Sequence, residues 1–398
     1  MIQLNCKVLA YILSSMRRAL GILKRSEHLV VLTSGDSATS VRVSTADVSI
    51  TCSVPCGGSK RSNQLELAVP MRLLATLPEG ARQYVTFDAI GGHATRSTLG
   101  GQVSITEKWE LYPVPPATAV GSAGNWRISN STRLGQALHH AASVSDPDSL
   151  RYSLGCIRLR GSDGQVAVTD GRQVFAASGF AFPFDEVLVP GAAMGRLKCL
   201  TDCSSISIGL ASDWLSLSTS NGMYRWLINL RIQKNGRFPN VDMCIPRKDS
   251  SRTVVTISDA DAEFLLKNLP RLIGKCDELL PMTLDLAVDR LLGKRQVRLR
   301  FRRIDTSRVD HGSAPVTEVT LDESTYNSPA MMVAMDHHFL LNALRFGHRQ
   351  IHLRSPSEPV FCYGTSGNFV WAPMHESLTI GPTSTMQCLS TRQAIAAA

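Results

Sequence analysis

Apolar residues recur at three- and four-residue steps in CKVLAYILSSMRRAL from Cys6, STRLGQALHHAASV from Ser131 and SDADAEFLLKNLPRLIG from Ser258, which predicts three amphipathic helices. Ser131 and Ser258 stand where N-caps belong, and the acidic residues after Ser258 suit the positive end of a helix. Alternation of apolar and polar positions in SVRVSTADVSITCSV, GQVAVTDGRQVFAAS and KRQVRLRFRRI predicts strands of sheets with one wet face.

These elements repeat. LELAVPMRLLATLPEGARQYVTFDA from Leu65, DEVLVPGAAMGRLKCLTDCSSISIGLA from Asp185 and AMMVAMDHHFLLNALRFGHRQIHLRS from Ala330 share one plan: a short apolar strand, a Val-Pro step or its equivalent, a helix, then an alternating strand. Pro70, Pro190 and Asp336 mark the same point in each, and each follows one of the three helices above. The expectation is an α+β chain of three repeated modules, each with two helices on antiparallel sheets: residues 1–120, 121–248 and 249–375, followed by a disordered tail at 376–398. The Pro-rich stretch 112–124 and the polar stretch 246–252 read as linkers, and 398 residues are more than one core usually organises.

A formal charge of +9 favours a polyanionic partner, since each phosphate contact releases counterions, but charge alone does not separate DNA from RNA or an anionic membrane. The run Lys294, Arg295, Arg298, Arg300, Arg302, Arg303 fits the solvated face of a strand at least as well as a binding patch. The ten cysteines lack zinc-finger spacing and read as reduced thiols, Cys52/Cys56 and Cys199/Cys203 included. The apolar runs are too short to cross a bilayer, and the chain is expected in the cytoplasm. No Walker loop, GxSxG or HExxH is present. Adjacent helical residues point about 100° apart, so His139-His140 and Asp336-His337-His338 are not expected to hold an ion. Neither catalytic residue, metal nor cofactor is predicted.

The stretches RYSLGCIRL (151–159), VAVTDGRQVFAAS (166–178), VLVP (187–190), NGRFPNVDMCIP (235–246) and FVWAPM (369–374) resemble, in order and spacing, the RYYLNG, ATDGHRLA, VIVP, GRFPDYRRVIP and VMPM motifs of the bacterial DNA polymerase III beta subunit, the sliding clamp. The resemblance runs from Met1 to about Met374. It implies a ring-forming head-to-tail homodimer of three-module DNA-clamp subunits that encircles duplex DNA without reading bases and tethers the replicative polymerase and clamp loader through linear peptides. An alternative is a divergent clamp serving a repair or translesion polymerase, or a nucleic-acid-binding protein that forms no ring.

By position, the resemblance assigns DNA contact to Lys24, Arg25, Arg72, Arg133, Tyr152, Arg196, Lys198 and Arg271, with the loop 146–150, Arg17, Arg18, Lys267 and Arg345 as further candidates. It assigns a partner-peptide groove to Leu154, Thr169, Gly171, Arg172, Gln173, Val174, Pro239, Met243, Cys244, Pro359, Val370, Trp371, Ala372, Pro373 and Met374. Val103 and Ile105 of one subunit would pack on Leu272 and Ile273 of the next. Arg172-Gln173, Trp371 and Ala372 depart from the family pattern, and the segment VDHGSAPVTEVTLD keeps few of the acidic residues that ring closure uses there.

Overall fold

The computed structural model describes residues 1–55, 65–75, 83–90, 93–100, 103–116, 126–146, 148–149, 152–234, 236–247, 250–274, 280–288, 293–303, 315–328 and 330–396. The chain divides into two compact units: Met1–Val168 with Ser178–Phe238, and Thr169–Ala177 with Pro239–Ala398.

In the first unit, β1 (Ile2–Asn5) runs straight into α1 (Cys6–Leu20). The Asn5 side chain accepts the N–H groups of Lys7 and Val8, and Gly21 ends the helix in the left-handed region at φ 67°, a conformation other residues adopt at a cost. Cys6, Leu9, Ile12, Leu13 and Met16 bury one face of α1. There follow β2 (Leu29–Ser34), β3 (Ala38–Ser44), β4 (Val48–Pro55), β5 (Glu66–Pro70), α2 (Met71–Leu74), β6 (Tyr84–Ile90), β7 (His93–Gly100) and β8 (Val103–Glu110). Next come β9 (Trp126–Ile128), α3 (Ser131–Val144), β10 (Cys156–Arg160) and β11 (Gln165–Thr169). After β12 (Gln173–Ala177), which belongs to the second unit, come β13 (Glu186–Pro190), α4 (Lys198–Thr201), β14 (Ser205–Ala211), β15 (Trp214–Asn221) and β16 (Tyr224–Arg231).

The strand orders β1-β6-β7-β8 and β5-β2-β3-β4-β16-β15-β14-β9 form two sheets of this unit. The antiparallel pairing of β4 with β16, from Arg225↔Ser53 to Leu230↔Val48, ties residues before the expected linker 112–124 to residues after it. Ile50, Cys52, Trp226, Ile228 and Leu230 are fully buried along that seam.

The sequence expectations and the structure differ in three local ways here. The helix after Pro190 is a single 3-10 turn, Met194–Arg196, followed by the short α4, because Leu197 adopts an extended conformation between them. A Cβ on Gly195 would sit 3.0 Å from that of Ala142, and one on Gly135 would sit 1.7 Å from the Leu200 carbonyl oxygen, so α3 packs on this segment backbone to backbone. Ser131 is inside α3: its hydroxyl donates to Ile128 O at 2.7 Å and accepts from Ile206 N at 2.8 Å, joining β9 to β14 rather than capping. Finally, β11 and β12 are buried along their whole length, where one wet face was expected.

The second unit adds β17 (Thr253–Thr256), α5 (Asp259–Ile273), β18 (Pro281–Val288), β19 (Arg295–Arg302), β20 (Val316–Leu321), β21 (Thr325–Tyr326), β22 (Met331–Asp336) and α6 (His337–Arg345). It continues with β23 (Gln350–Leu353), β24 (Val360–Cys362), β25 (Asn368–Trp371), β26 (Gln387–Ser390) and α7 (Thr391–Ala396). One sheet contains the order β12-β25-β24-β23-β17-β21, and another has the order β22-β18-β19-β20-β26. Ser258 caps α5 as its position predicts, its hydroxyl accepting Asp261 N at 3.1 Å.

Two corrections arise in this unit. The tail expected to be disordered carries β26 and α7, because Ser390 and Thr391 find specific partners on Asp322 and Asp261. In the basic run of β19 Lys294, Arg295 and Arg303 are exposed, as a solvated face requires, but Arg300 departs from it. Arg300 is buried, its Nε donating to Glu318 at 2.7 Å and its Nη2 to Asp285, so cross-strand carboxylates neutralise it.

Candidate nucleic-acid and partner-binding surfaces

The helices of the first unit carry most of the basic residues singled out above. Arg17 and Arg18 end α1, where cations suit the negative pole of the helix dipole. Arg17 and Lys24 line a cleft of about 190 Å³ with Leu13, Met71 and Leu74, so the ends of α1 and α2 share one basic rim. Lys24, Arg25, Arg72, Arg196 and Lys198 are exposed. Arg72 pairs with Glu27 across two exposed side chains, a contact that contributes little in water. Arg196 donates to the Arg18 carbonyl at 3.2 Å, which brings the turn before α4 to the end of α1. Arg133 is half-buried, its guanidinium 5.1 Å above the Phe180 ring. Arg271 and Lys267 on α5 and Arg345 on α6 are exposed on the second unit. The side chain of Tyr152 and residues 147 and 150 of the loop 146–150 lie outside the described residues.

Four of the residues assigned to the peptide groove lie on β12 and β25 and divide between the two faces of that pair. In the β12–β25 pair, Gln173 lies opposite Trp371 and Val174 opposite Val370. Successive strand residues point to opposite faces, so Val174 and Val370 share one side, and Gln173 and Trp371 share the other. The Gln173 side belongs to the core: Asn342 of α6 donates to Gln173 Oε1 at 3.3 Å, and the Trp371 ring lies 5.3 Å from that of Phe369. Trp371 is buried on that side, and Val174 and Val370 are buried on the other.

The turn before β12 is built locally. Thr169 is buried with its hydroxyl donating to Gln173 O at 2.8 Å, Asp170 Oδ1 accepts the N–H groups of Arg172 and Gln173, and Gly171 takes φ 91°. Arg172 is left exposed. Ala372 N donates to Arg172 O at 2.9 Å and Met374 N to Ala334 O at 2.7 Å, leaving Ala372 exposed and Pro373 and Met374 half-buried. Pro239, Met243, Cys244 and Pro359 are exposed, Met243 by 83%, which is unusual for so apolar a side chain. Leu154 is buried within the first unit.

Of the residues assigned to subunit pairing, Ile273 is 1% exposed and belongs to the core of its own unit. Leu272 is half-buried and lines a cleft of about 170 Å³ with Asn268, Arg271, Arg303, Thr317 and Gln387. Gln387 comes from the tail. The side chains of Val103 and Ile105 lie outside the described residues, as do residues 309–314 of the segment VDHGSAPVTEVTLD. Glu318 of that segment points inward to Arg300.

Ligand atoms of Asp336, His337 and His338 lie within 4.8 Å of one another. Asp336 Oδ1 accepts His338 N at 2.7 Å and contacts His338 Nδ1 at 2.9 Å, so this carboxylate caps α6. A cation there would face the positive pole of that helix, which opposes binding. Burial pushes His337 down to about 4. The thiols of Cys199 and Cys203 are buried, and burial pushes Cys199 up to about 12, as befits a packed thiol rather than a metal ligand. Among the described residues no helix is long and apolar enough to cross a membrane.

Sequence reasoning missed the tail strand and the buried Arg300 cluster. A signal for the first was present: Ser390 followed three residues later by Gln393 is a helix-start pattern, and Ser390 Oγ does accept Gln393 N at 3.3 Å.

Repeated helices against antiparallel sheets, in this order along the chain, give the fold of the bacterial DNA polymerase sliding clamps. A DNA polymerase sliding clamp from Pseudomonas aeruginosa solved with a ligand matches at TM-score 0.67 and 15% identity, over 94% of this chain and 99% of that one. A second structure of the polymerase III beta subunit of that organism, bound to griselimycin, matches at TM-score 0.68 and 16% identity over the same shares. The polymerase beta subunit of Streptococcus pyogenes matches at TM-score 0.69 and 13% identity, again over 94% and 99%. No family model matches the sequence. No curated protein matches it either.

Proposed function

We propose that this chain is a DNA sliding clamp, the processivity subunit of a DNA polymerase III, which closes as a homodimeric ring around duplex DNA and holds polymerase and clamp loader by linear peptides. The observation that carries this reading is the clamp fold, matched over 94% of the chain. The exposed cations on α1, α2 and α4 support it: helix-borne Lys and Arg meet phosphates without contacting base edges, so binding is independent of sequence and the protein can slide. Exposed Met243 and half-buried Met374 suit an adaptable apolar anchor site for a peptide. The chain supplies no catalytic step in this reading and takes no cofactor.

A second reading, a clamp that serves a repair or translesion polymerase, is favoured by exposed Arg172 and Ala372 and by Trp371, which turns into the core. The two readings share a ring and differ in the peptide they take.

The decisive experiment needs no loader. The protein is threaded onto linear duplex DNA, the ends are blocked with bulky caps, and retention is read in high salt before and after a restriction cut. A ring stays on blocked DNA and leaves within the dead time once an end opens. Equal retention before and after the cut would overturn the reading.

A further inference from the structure

The strand β20 has the burial of an interior strand: Val316, Thr317, Glu318, Val319 and Leu321 are all buried. It would be the edge of its sheet were β26 not laid against it, in a register from Thr317↔Gln387 to Thr320↔Ser390. This pairing is parallel, whereas β18, β19, β20 and β22 pair antiparallel, and it covers four residues. Parallel pairing is the slightly weaker kind. Along β26 itself little apolar surface is buried, since Gln387 and Cys388 are exposed and Leu389 is half-buried.

Polar contacts hold it. Ser390 Oγ donates to Asp322 Oδ2 at 2.5 Å, Arg392 N donates to the same oxygen at 3.0 Å, and Asp322 N donates to Thr391 Oγ1 at 3.1 Å. Thr391 Oγ1 donates to Asp261 Oδ1 at 2.5 Å. Asp261 is 1% exposed, but its other oxygen accepts Glu323 N at 3.1 Å and Ser324 Oγ at 2.7 Å, so that carboxylate keeps partners when the strap leaves. The strap is therefore removable without stranding the buried charge.

An uncovered edge strand is a template for another chain. The other described edges are short or already covered: β1, β9 and β21 have four, three and two residues. Tyr112 bridges Ala68 of β5, Gln233 N donates to Leu188 O of β13, and Met374 N donates to Ala334 O of β22. The strand β8 is different. It has eight residues, Thr106, Glu107, Lys108 and Glu110 are exposed, and among the described residues no backbone partner lies on its outer side.

We infer that Gln387–Ala396 is a displaceable strand cap, which occupies the β20 edge of its own chain and competes there with the β8 edge of a second copy. Pairing β8 of one copy with β20 of another joins different surfaces, the kind of contact that closes rings. The inference deepens the clamp reading and rests on it for the choice of partner. The tail then sets the concentration at which copies associate.

The test uses two variants. One lacks residues 387–398; the other carries T317C and Q387C, opposite one another in the register, so that oxidation ties the strap down and reduction frees it. Mass is followed by light scattering over a concentration series. The shortened chain is expected to associate at a concentration at least tenfold lower than the full chain, and the oxidised variant to stay monomeric where its reduced form associates. Amide exchange across 103–110 is expected to slow on association. An association midpoint unmoved by deletion, an oxidised form that associates like the reduced one, or unchanged exchange at β8 would each overturn the cap. If the shortened chain fails to fold, the redox pair decides alone. Retention on end-blocked DNA separates the two ideas: copies that associate on release yet are not retained keep the cap and sink the clamp, and retention with no effect of the tail does the reverse.

Discussion

In the first unit Lys24, Arg25, Arg72, Arg196 and Lys198 stand in water on helices and the segments between them, whereas in the second Arg300 is enclosed between Asp285 and Glu318, and His337 and His348 are buried. Both units are α+β, and each holds cations of both kinds: Arg96 and Arg158 are buried in the first, and Lys267, Arg271 and Arg345 are exposed in the second. One net value of +9 therefore conceals a division between solvated cations and enclosed ones such as Arg300.

The strongest way to break that contrast is Arg300→Met, which leaves two buried carboxylates facing each other. It is expected to lower stability by about 3–5 kcal/mol, read by urea denaturation of the second unit's transition. Replacing Arg300, Asp285 and Glu318 together with apolar residues of similar size is expected to recover most of the loss; recovery would identify the uncompensated charge, rather than lost packing, as the cause.

Acid comes next. Burial pushes His337 and His348 down to about 4, below the unfolded value near 6.5. The unfolded chain therefore takes up protons first, and stability present above about pH 6.5 is lost as pH falls toward 4. The loss is about 3 kcal/mol for His348, with His337 acting in the same direction, and melting temperatures over that window would show it. His348→Gln is expected to flatten the profile.

The smallest effects on stability fall on the first unit. Arg72→Ala or Arg196→Ala is expected to change stability by less than about 0.5 kcal/mol, while each lowers the slope of log affinity for duplex DNA against log salt by about 1. A large stability loss with no change in salt slope would reverse the roles given to these residues.

The helices were legible in the sequence because a three- to four-residue period survives whatever the helix packs on: α1, α3 and α5 lie where the period places them. The sheets were less so. A strand buried on both faces loses its alternation, as in β11, and Arg300 within an alternating strand reads as wet until Glu318, 18 residues on, is seen to lie across from it. Trp371 was assigned to the groove by position alone, although an immediate neighbour of Val370 on a strand must face the other way. The tail escaped composition for a related reason. Ser and Thr signal disorder only until they meet partners, and those of Ser390 and Thr391 lie 68 and 130 residues back.

The backbone contact of Gly135 with Leu200 also bears on mechanics. Arg133 on α3 and Arg196 and Lys198 beside α4 ride on segments with no side-chain cushion at their closest approach, so the spacing of these charges is as stiff as the peptide chain itself. A surface of that kind holds its charges at fixed intervals, like the teeth of a rack, and a single methyl group at position 135 would change the pitch without touching any charge.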